Sequence, residues 1–143
     1  DSLSVYSKEW EKIVRVYQQL YIKLDLEDML EGTGKIEPDL LLIYKNFLTA
    51  MDNDFNTANA ITEIQNLVKK ANSMLRSNTE IKVLLSALKL FNDFFDVLGL
   101  VVDIKPMIQT DKETYKNWLK ARNDKDFEKA DLYRNQLQEK GII

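Results

Sequence analysis

Three side chains able to recognise a nucleobase occur close together near the C-terminus: Arg122, Phe127 and Asp131. Arg122 ends one helical pattern, and Asp131 follows Phe127 by one turn in the next, so a tight helical hairpin would bring them toward one corner. An arginine and an aromatic ring can stack on an unpaired base, and a carboxylate accepts hydrogen bonds from base N–H groups. The same spacing also fits a self-contained hairpin, with Phe127 in its core and Arg122 paired with an acidic neighbour. Spacing alone leaves both interpretations open.

A second polar segment, residues 52–57, has the ligand spacing of an EF-hand calcium loop. The first, third, fifth and twelfth positions of such a loop are Asp52, Asp54, Asn56 and Glu63. The sixth position, where the sharp turn demands glycine, is Thr57. Calcium binding is therefore the weaker interpretation of this segment.

The stronger interpretation is a turn between two helices with no metal. Either Asn56 or Thr57 would cap the second helix, and Phe55 would be buried. We predict a structural loop made by Asp52, Asp54, Phe55, Asn56 and Thr57.

The composition excludes several kinds of chemistry. The 143 residues include no Cys and no His, which excludes disulfides, Cys/His zinc sites and Ser-His-Asp or Cys-His catalytic sites. Four Gly and two Pro provide little material for phosphate-binding loops or for the turns of an all-β fold. A hydrophobic content of 45% with 30% charged residues is typical of a folded domain. The first residue is Asp1, which suggests a piece of a longer protein.

The elements that must position these side chains are helices, because apolar residues recur at helical spacing almost throughout. Ser7 is predicted to cap the first helix, Pro38 to start the second, and Gly99 to end the fourth. Thr110 to Glu113 matches a capping box for a fifth helix. We predict an all-α fold, with an antiparallel bundle of about four helices over residues 1–104 and a small helical hairpin over 105–143.

Charge divides at the same linker. Residues 1–104 carry 11 Lys+Arg against 16 Asp+Glu, a net charge of −5. Residues 105–143 carry nine against seven, a net charge of +2. A nucleic-acid surface is therefore expected toward the C-terminal end.

Three ordered motifs resemble the C-terminal part of cysteinyl-tRNA synthetases. Residues 47–57, FLTAMDNDFNT, are similar to a motif of their DALR-type helical domain, and VLGL at 97–100 is similar to the end of that domain. The third motif is similar to the family's anticodon-binding tail and comprises Ala121-Arg122, Lys125-Asp126-Phe127, Ala130-Asp131, Arg134, Leu137 and Gly141-Ile142. The chain departs from the family pattern at Asn53, at Ala58 and at Phe127, where Trp is commoner.

The resemblance implies a DALR-type helical bundle over 1–104 and a truncated anticodon-binding domain over 105–143. Arg122, Phe127 and Asp131 match residues that contact the first anticodon base: Asp131 would accept hydrogen bonds from guanine, Phe127 would stack, and Arg122 would hold the base or its phosphate. The implied partners are tRNA(Cys), with its GCA anticodon, and the catalytic domain of the same polypeptide. ATP with Mg²⁺ and zinc would bind in that catalytic domain, so this part would be non-catalytic and free of cofactors. The implied location is cytoplasmic.

Two other functions fit parts of the sequence. A tRNA-independent cysteine ligase has a related helical domain, but such enzymes lack the hairpin seen at 115–141. A protein–protein interaction module is the other alternative, because the hairpin also resembles the UVR-type hairpin of excision-repair proteins. That hairpin does not carry the DFNT segment at 54–57 or the VLGL segment at 97–100.

Overall fold

The computed structural model describes residues 2–53 and 56–143, with side chains from residue 7 onward. All regular structure in these residues is helical, which confirms the predicted all-α fold. The helices are α1 (Ser2–Leu26), α2 (Pro38–Asp52), α3 (Thr57–Arg76), α4 (Ile81–Leu98), α5 (Gln109–Asn123) and α6 (Phe127–Glu139). Within the described residues, no helix is long and apolar enough to cross a membrane. The chain divides into two compact units, residues 1–104 (the bundle unit) and 105–143 (the hairpin unit).

The bundle unit packs α1 to α4 in alternating directions around one aromatic core. Trp10 lies beside Phe95 and Tyr17 beside Phe91, so α1 runs antiparallel to α4. The Tyr17 hydroxyl donates a 2.7 Å hydrogen bond to Asn92 Oδ1, which satisfies its polar end inside the bundle. Burial raises the pKa of Tyr17, with further contributions from Tyr21 and Asp96. The most buried large side chains of the core include Leu20, Leu24, Leu40, Phe47, Ile64, Leu67, Leu85, Phe91 and Phe94.

Two helix boundaries confirm the sequence analysis. Pro38 is the first residue of α2, where its missing N–H leaves no hydrogen bond unmade. Gly99 follows α4 with φ 71°, and Leu100 N donates to Phe95 O at 2.8 Å. This left-handed residue with its reverse hydrogen bond is the expected way to end a helix at glycine.

Two predicted caps are wrong. Helix α1 already begins at Ser2, so Ser7 lies inside it. Helix α5 begins at Gln109 with Ile108 as its N-cap, and Thr110 instead accepts a hydrogen bond from the Thr114 hydroxyl at its backbone oxygen. The cap motifs therefore lie within a few residues of each helix start but do not identify the N-cap residue itself.

Helix α1 ends at Leu26, several residues before Gly32 and Gly34, the first glycines that follow it. Asp28 adopts the left-handed conformation, with φ 55°, and Met29 N donates to Leu24 O at 2.8 Å. The segment 27–37 then crosses to α4, where Lys35 N donates to Lys82 O at 3.0 Å. A Cβ on Gly34 would clash with the Ser86 hydroxyl and would lie 3.1 Å from Ser86 N and 3.2 Å from its Cα, so a larger residue at this crossing would force Ser86 or the segment to shift.

Lys70 of α3 holds the start of α2. Its Nζ lies 2.7 Å from Glu37 Oε1 and 2.9 Å from Asp39 Oδ2. Hydrogen bonds to Glu37 and then to Asp39 raise the pKa of Lys70, against a smaller opposing effect of burial. A lysine pKa raised by folding stabilises the fold below the ordinary lysine value, and the contribution is lost as pH rises through the raised value.

We therefore expect Lys70→Met to lower the free energy of unfolding at neutral pH by about 1 kcal/mol. Urea unfolding followed by circular dichroism measures the change. Lys69→Met is the matched control, because Lys69 is adjacent and exposed. Equal losses for the two variants, or a Lys70 effect that persists undiminished at strongly alkaline pH, would refute this assignment.

Candidate functional site

The hairpin unit is closed by a tight turn between α5 and α6. Asp126 Oδ1 accepts from Lys129 N at 3.3 Å and so caps α6, while Asp126 N donates to Ala121 O at 2.9 Å. Lys125 takes the left-handed conformation, with φ 58°, to complete the turn. Ala121 and Ala130 are buried where the two helices meet, because small side chains permit close approach.

The open end of the hairpin is also fixed. Leu137 is fully buried, and Ile142 N donates to its carbonyl at 2.9 Å after Gly141 reverses the chain with φ 72°. The Lys140 ammonium pairs with the Asp111 carboxylate, which links the end of α6 to the start of α5. These contacts fix α5 and α6 relative to each other at the end of the hairpin opposite the turn.

Arg122 lies exposed in the last turn of α5, against an aromatic pair. Its Cζ lies 5.0 Å from the centroid of the Trp118 ring, within the range of a cation–π contact. Trp118 in turn meets Tyr115 edge-on, with ring centroids 5.3 Å apart and an interplanar angle of 83°. Burial raises the pKa of Tyr115, and the nearby Arg122 charge opposes that rise.

Phe127 is the first residue of α6 and is 68% exposed. The self-contained interpretation of the hairpin placed this ring in the core, and the structure contradicts it. An exposed ring at a helix start costs no backbone strain and presents an apolar face for stacking.

Asp131 lies one turn after Phe127 on the same face of α6. Its Oδ1 is 3.3 Å from Arg134 Nη2, and both side chains are about half exposed or more. An exposed pair of this kind contributes only about 0–1 kcal/mol, so the Asp131 carboxylate can exchange this partner for a ligand.

Thus α6 places Phe127 and Asp131 on one face, and the three-residue turn 124–126 separates them from Arg122. Exposed lysines occur on both helices and in the turn, at Lys116, Lys120, Lys125 and Lys129, with the acidic residues Asp124, Asp126 and Glu128 among them. In a unit with a net charge of +2, the Arg122 guanidinium and the exposed Phe127 ring are groups that can stack on an unpaired base, and the Asp131 carboxylate is one that can accept hydrogen bonds from it. The contact between Trp118 and Arg122 was not predicted from the sequence, although their spacing of four residues on one helix is compatible with it.

The segment 52–57 joins α2 to α3, and Asp54 and Phe55 lie outside the described residues. Asp52 ends α2 and Thr57 begins α3. Asn56 is the N-cap of α3: its side chain accepts from Asn59 N at 3.2 Å. Its backbone N donates to Ala50 O at 2.9 Å.

The backbone here does not have the geometry of a calcium loop. Residues 57–63 are helical, whereas an EF-hand loop stays non-helical over its middle positions. The Glu63 carboxylate accepts from Asn66 Nδ2 at 3.3 Å and 3.4 Å. Within residues 2–53 and 56–143, no group of three or more acidic residues could hold a metal ion.

Comparison with known proteins assigns both units a relative. The DALR domain family matches residues 46–102, which run from α2 to the end of α4 and the linker. A cysteine–tRNA ligase of Lachnospira eligens is 40% identical over 80% of this chain and 25% of its own length. Those of Bacillus cytotoxicus and Staphylococcus saprophyticus are 33% and 34% identical over 93% of this chain, and 29% and 30% of their own. The chain is therefore similar to cysteine–tRNA ligases over most of its length, and its bundle unit contains a DALR domain.

The match to these ligases covers nearly the whole chain but only part of each enzyme. The chain spans between 25% and 30% of the length of the ligases compared above. The DALR domain lies within the bundle unit, and the longer alignments, which cover 93% of the chain, also extend into the hairpin unit. No solved structure matches the chain significantly.

Proposed function

We propose that this chain is the tRNA-binding region of a cysteine–tRNA ligase, and that its hairpin unit binds the anticodon of tRNA(Cys). The observation that carries the proposal is the exposed Phe127 ring beside Asp131 on α6, in a chain whose relatives are named as cysteine–tRNA ligases. A ring left 68% exposed at the start of a helix adds little to folding, whereas stacking on an unpaired base would cover it.

Each side chain has a defined role in this proposal. The Asp131 carboxylate accepts hydrogen bonds from N1–H and the 2-amino group of guanine, the first base of the GCA anticodon. Phe127 stacks on that base. Arg122 contacts the base or its phosphate, and the lysines around the corner attract the RNA backbone.

The catalytic step belongs elsewhere in the parent enzyme in this proposal. A chain with no Cys and no His cannot supply thiolate or imidazole ligands to zinc. Its four Gly and two Pro provide little material for phosphate-binding loops. In this proposal ATP, Mg²⁺ and zinc act in a catalytic domain of the same polypeptide, and the bundle unit packs against that domain. The contribution of this chain is to hold tRNA(Cys) for ATP-dependent cysteinylation.

Binding of short RNAs tests the proposal. We expect the wild-type chain to bind an anticodon stem-loop bearing GCA more tightly than one bearing ACA, by about 1–3 kcal/mol, because a base contact is lost. Fluorescence anisotropy at low ionic strength is the measurement, since phosphate contacts weaken steeply with salt. Equal affinity for the two loops would overturn anticodon reading by this hairpin.

A further inference from the structure

The aromatic pair on α5 has no role in the proposed base contacts, yet it touches one of their residues. Arg122 Cζ lies 5.0 Å from the Trp118 ring centroid, and Trp118 rests edge-on against Tyr115. Tyr115 and Trp118 are half-buried, while Arg122 is exposed. The flexible Arg122 side chain thus packs on the Trp118 ring, and Tyr115 in turn restrains that ring.

We infer that Trp118 is a positioning residue, which holds the Arg122 guanidinium on its ring for contact with RNA. An unrestrained arginine loses rotamer freedom when it binds, and that loss weakens binding. The contact with Trp118 fixes part of the side chain before RNA arrives. The guanidinium then has a ring on one side and remains open to a nucleobase or phosphate elsewhere.

This inference rests on the proposed function. The coupling between Trp118 and Arg122 distinguishes positioning from a general structural role. If Trp118 acts only through Arg122, its replacement weakens binding when Arg122 is present and has no further effect when Arg122 is absent. A purely structural role would weaken binding in both backgrounds.

A double-mutant cycle with the GCA stem-loop makes this test. We expect Trp118→Leu to weaken binding roughly two- to fivefold, which is the strength of an exposed cation–π contact. Trp118→Phe should keep most of the affinity, because it keeps a ring. In the Arg122→Ala background, Trp118→Leu should change affinity by less than about 1.5-fold. Equal losses in the two backgrounds, or no loss in either, would overturn the inference.

A second measurement covers the case in which Trp118→Leu unfolds the hairpin. The chain has two tryptophans, so Trp10→Phe leaves Trp118 as the only indole reporter. In that background we expect Arg122→Ala to shift Trp118 emission to longer wavelength and increase its quenching by acrylamide, because the guanidinium no longer covers the ring. Unchanged emission and quenching would show that the contact does not form and would overturn the inference.

The two measurements separate this inference from the proposed function. If the wild-type chain does not distinguish GCA from ACA loops, the proposed function fails, and the inference fails with it. If it does distinguish them and the cycle shows no coupling, only the positioning role of Trp118 fails.

Discussion

Replacing Phe94 with alanine is expected to lower the free energy of unfolding of the bundle unit by about 3–5 kcal/mol. The Phe94 ring is 1% exposed and stacks on Phe47, with centroids 3.9 Å apart and an interplanar angle of 16°. This stack joins α2 to α4. Truncation removes both the buried apolar surface and the partner of the Phe47 ring, and it leaves a cavity that rigid helices fill incompletely.

Such a loss is a large share of the about 5–15 kcal/mol that stabilises an ordinary domain. Urea unfolding of the whole chain, followed by circular dichroism, measures it. Val97→Ala is the matched control, because Val97 lies on the same helix and is 54% exposed. The control should change stability by no more than about 0.5 kcal/mol. A loss below about 1.5 kcal/mol for Phe94→Ala would contradict the described core.

Arg122→Ala and Asp131→Ala are each expected to weaken binding of the GCA stem-loop by about 1–3 kcal/mol. In the proposed function, removal of Arg122 deletes a cation that would contact the base or its phosphate. Removal of Asp131 deletes the carboxylate that would accept hydrogen bonds from guanine. Anisotropy titration at low ionic strength measures both changes.

The sign of the Asp131 effect is informative. General electrostatics predicts that deleting a carboxylate strengthens binding to a polyanion, so weaker binding requires a specific contact. Glu128→Ala removes the same charge from an exposed position one turn earlier on α6 and should leave GCA binding unchanged or slightly stronger. Lys116→Ala, an exposed control on α5, should weaken binding to all RNAs alike. Tighter GCA binding by Asp131→Ala would contradict the proposed contact.

Much of the fold follows from the spacing of apolar residues. Helical periodicity predicts all of the described helices, and Pro38 and Gly99 mark two of their ends. Proline fixes φ and lacks an N–H, which suits the first turn, whereas glycine adopts the left-handed conformation that ends a helix without a steric penalty. The end of α1 could not be predicted so well, because Asp28 rather than a glycine takes the left-handed conformation. The left-handed conformation is unfavourable for a residue other than glycine, so the surrounding fold must hold Asp28 in it. The local sequence does not reveal that constraint.

The candidate site is less predictable than the fold. Phe127 and Ala130 are both apolar and three residues apart, which suggests one buried face, but only Ala130 is buried. Which of them faces α5 depends on how closely the helices approach at Ala121. Arg122, Phe127 and Asp131 could be chosen from the sequence because their types suit base recognition. The spacing of Trp118 and Arg122 permits a contact, but only the structure shows that the guanidinium lies on the ring.

Removing the 2-amino group from the first anticodon base tests most directly the claim that the hairpin unit reads the anticodon through Asp131. Inosine at the first anticodon position lacks the 2-amino group of guanine but keeps N1–H. The wild-type chain should bind the inosine loop about 0.5–1.5 kcal/mol less tightly than the GCA loop, because Asp131 loses the hydrogen bond from the amino group and keeps the one from N1–H. The Asp131→Ala chain should bind both loops equally. An undiminished preference for guanine in the Asp131→Ala chain would contradict the claim that this hairpin reads the anticodon through Asp131.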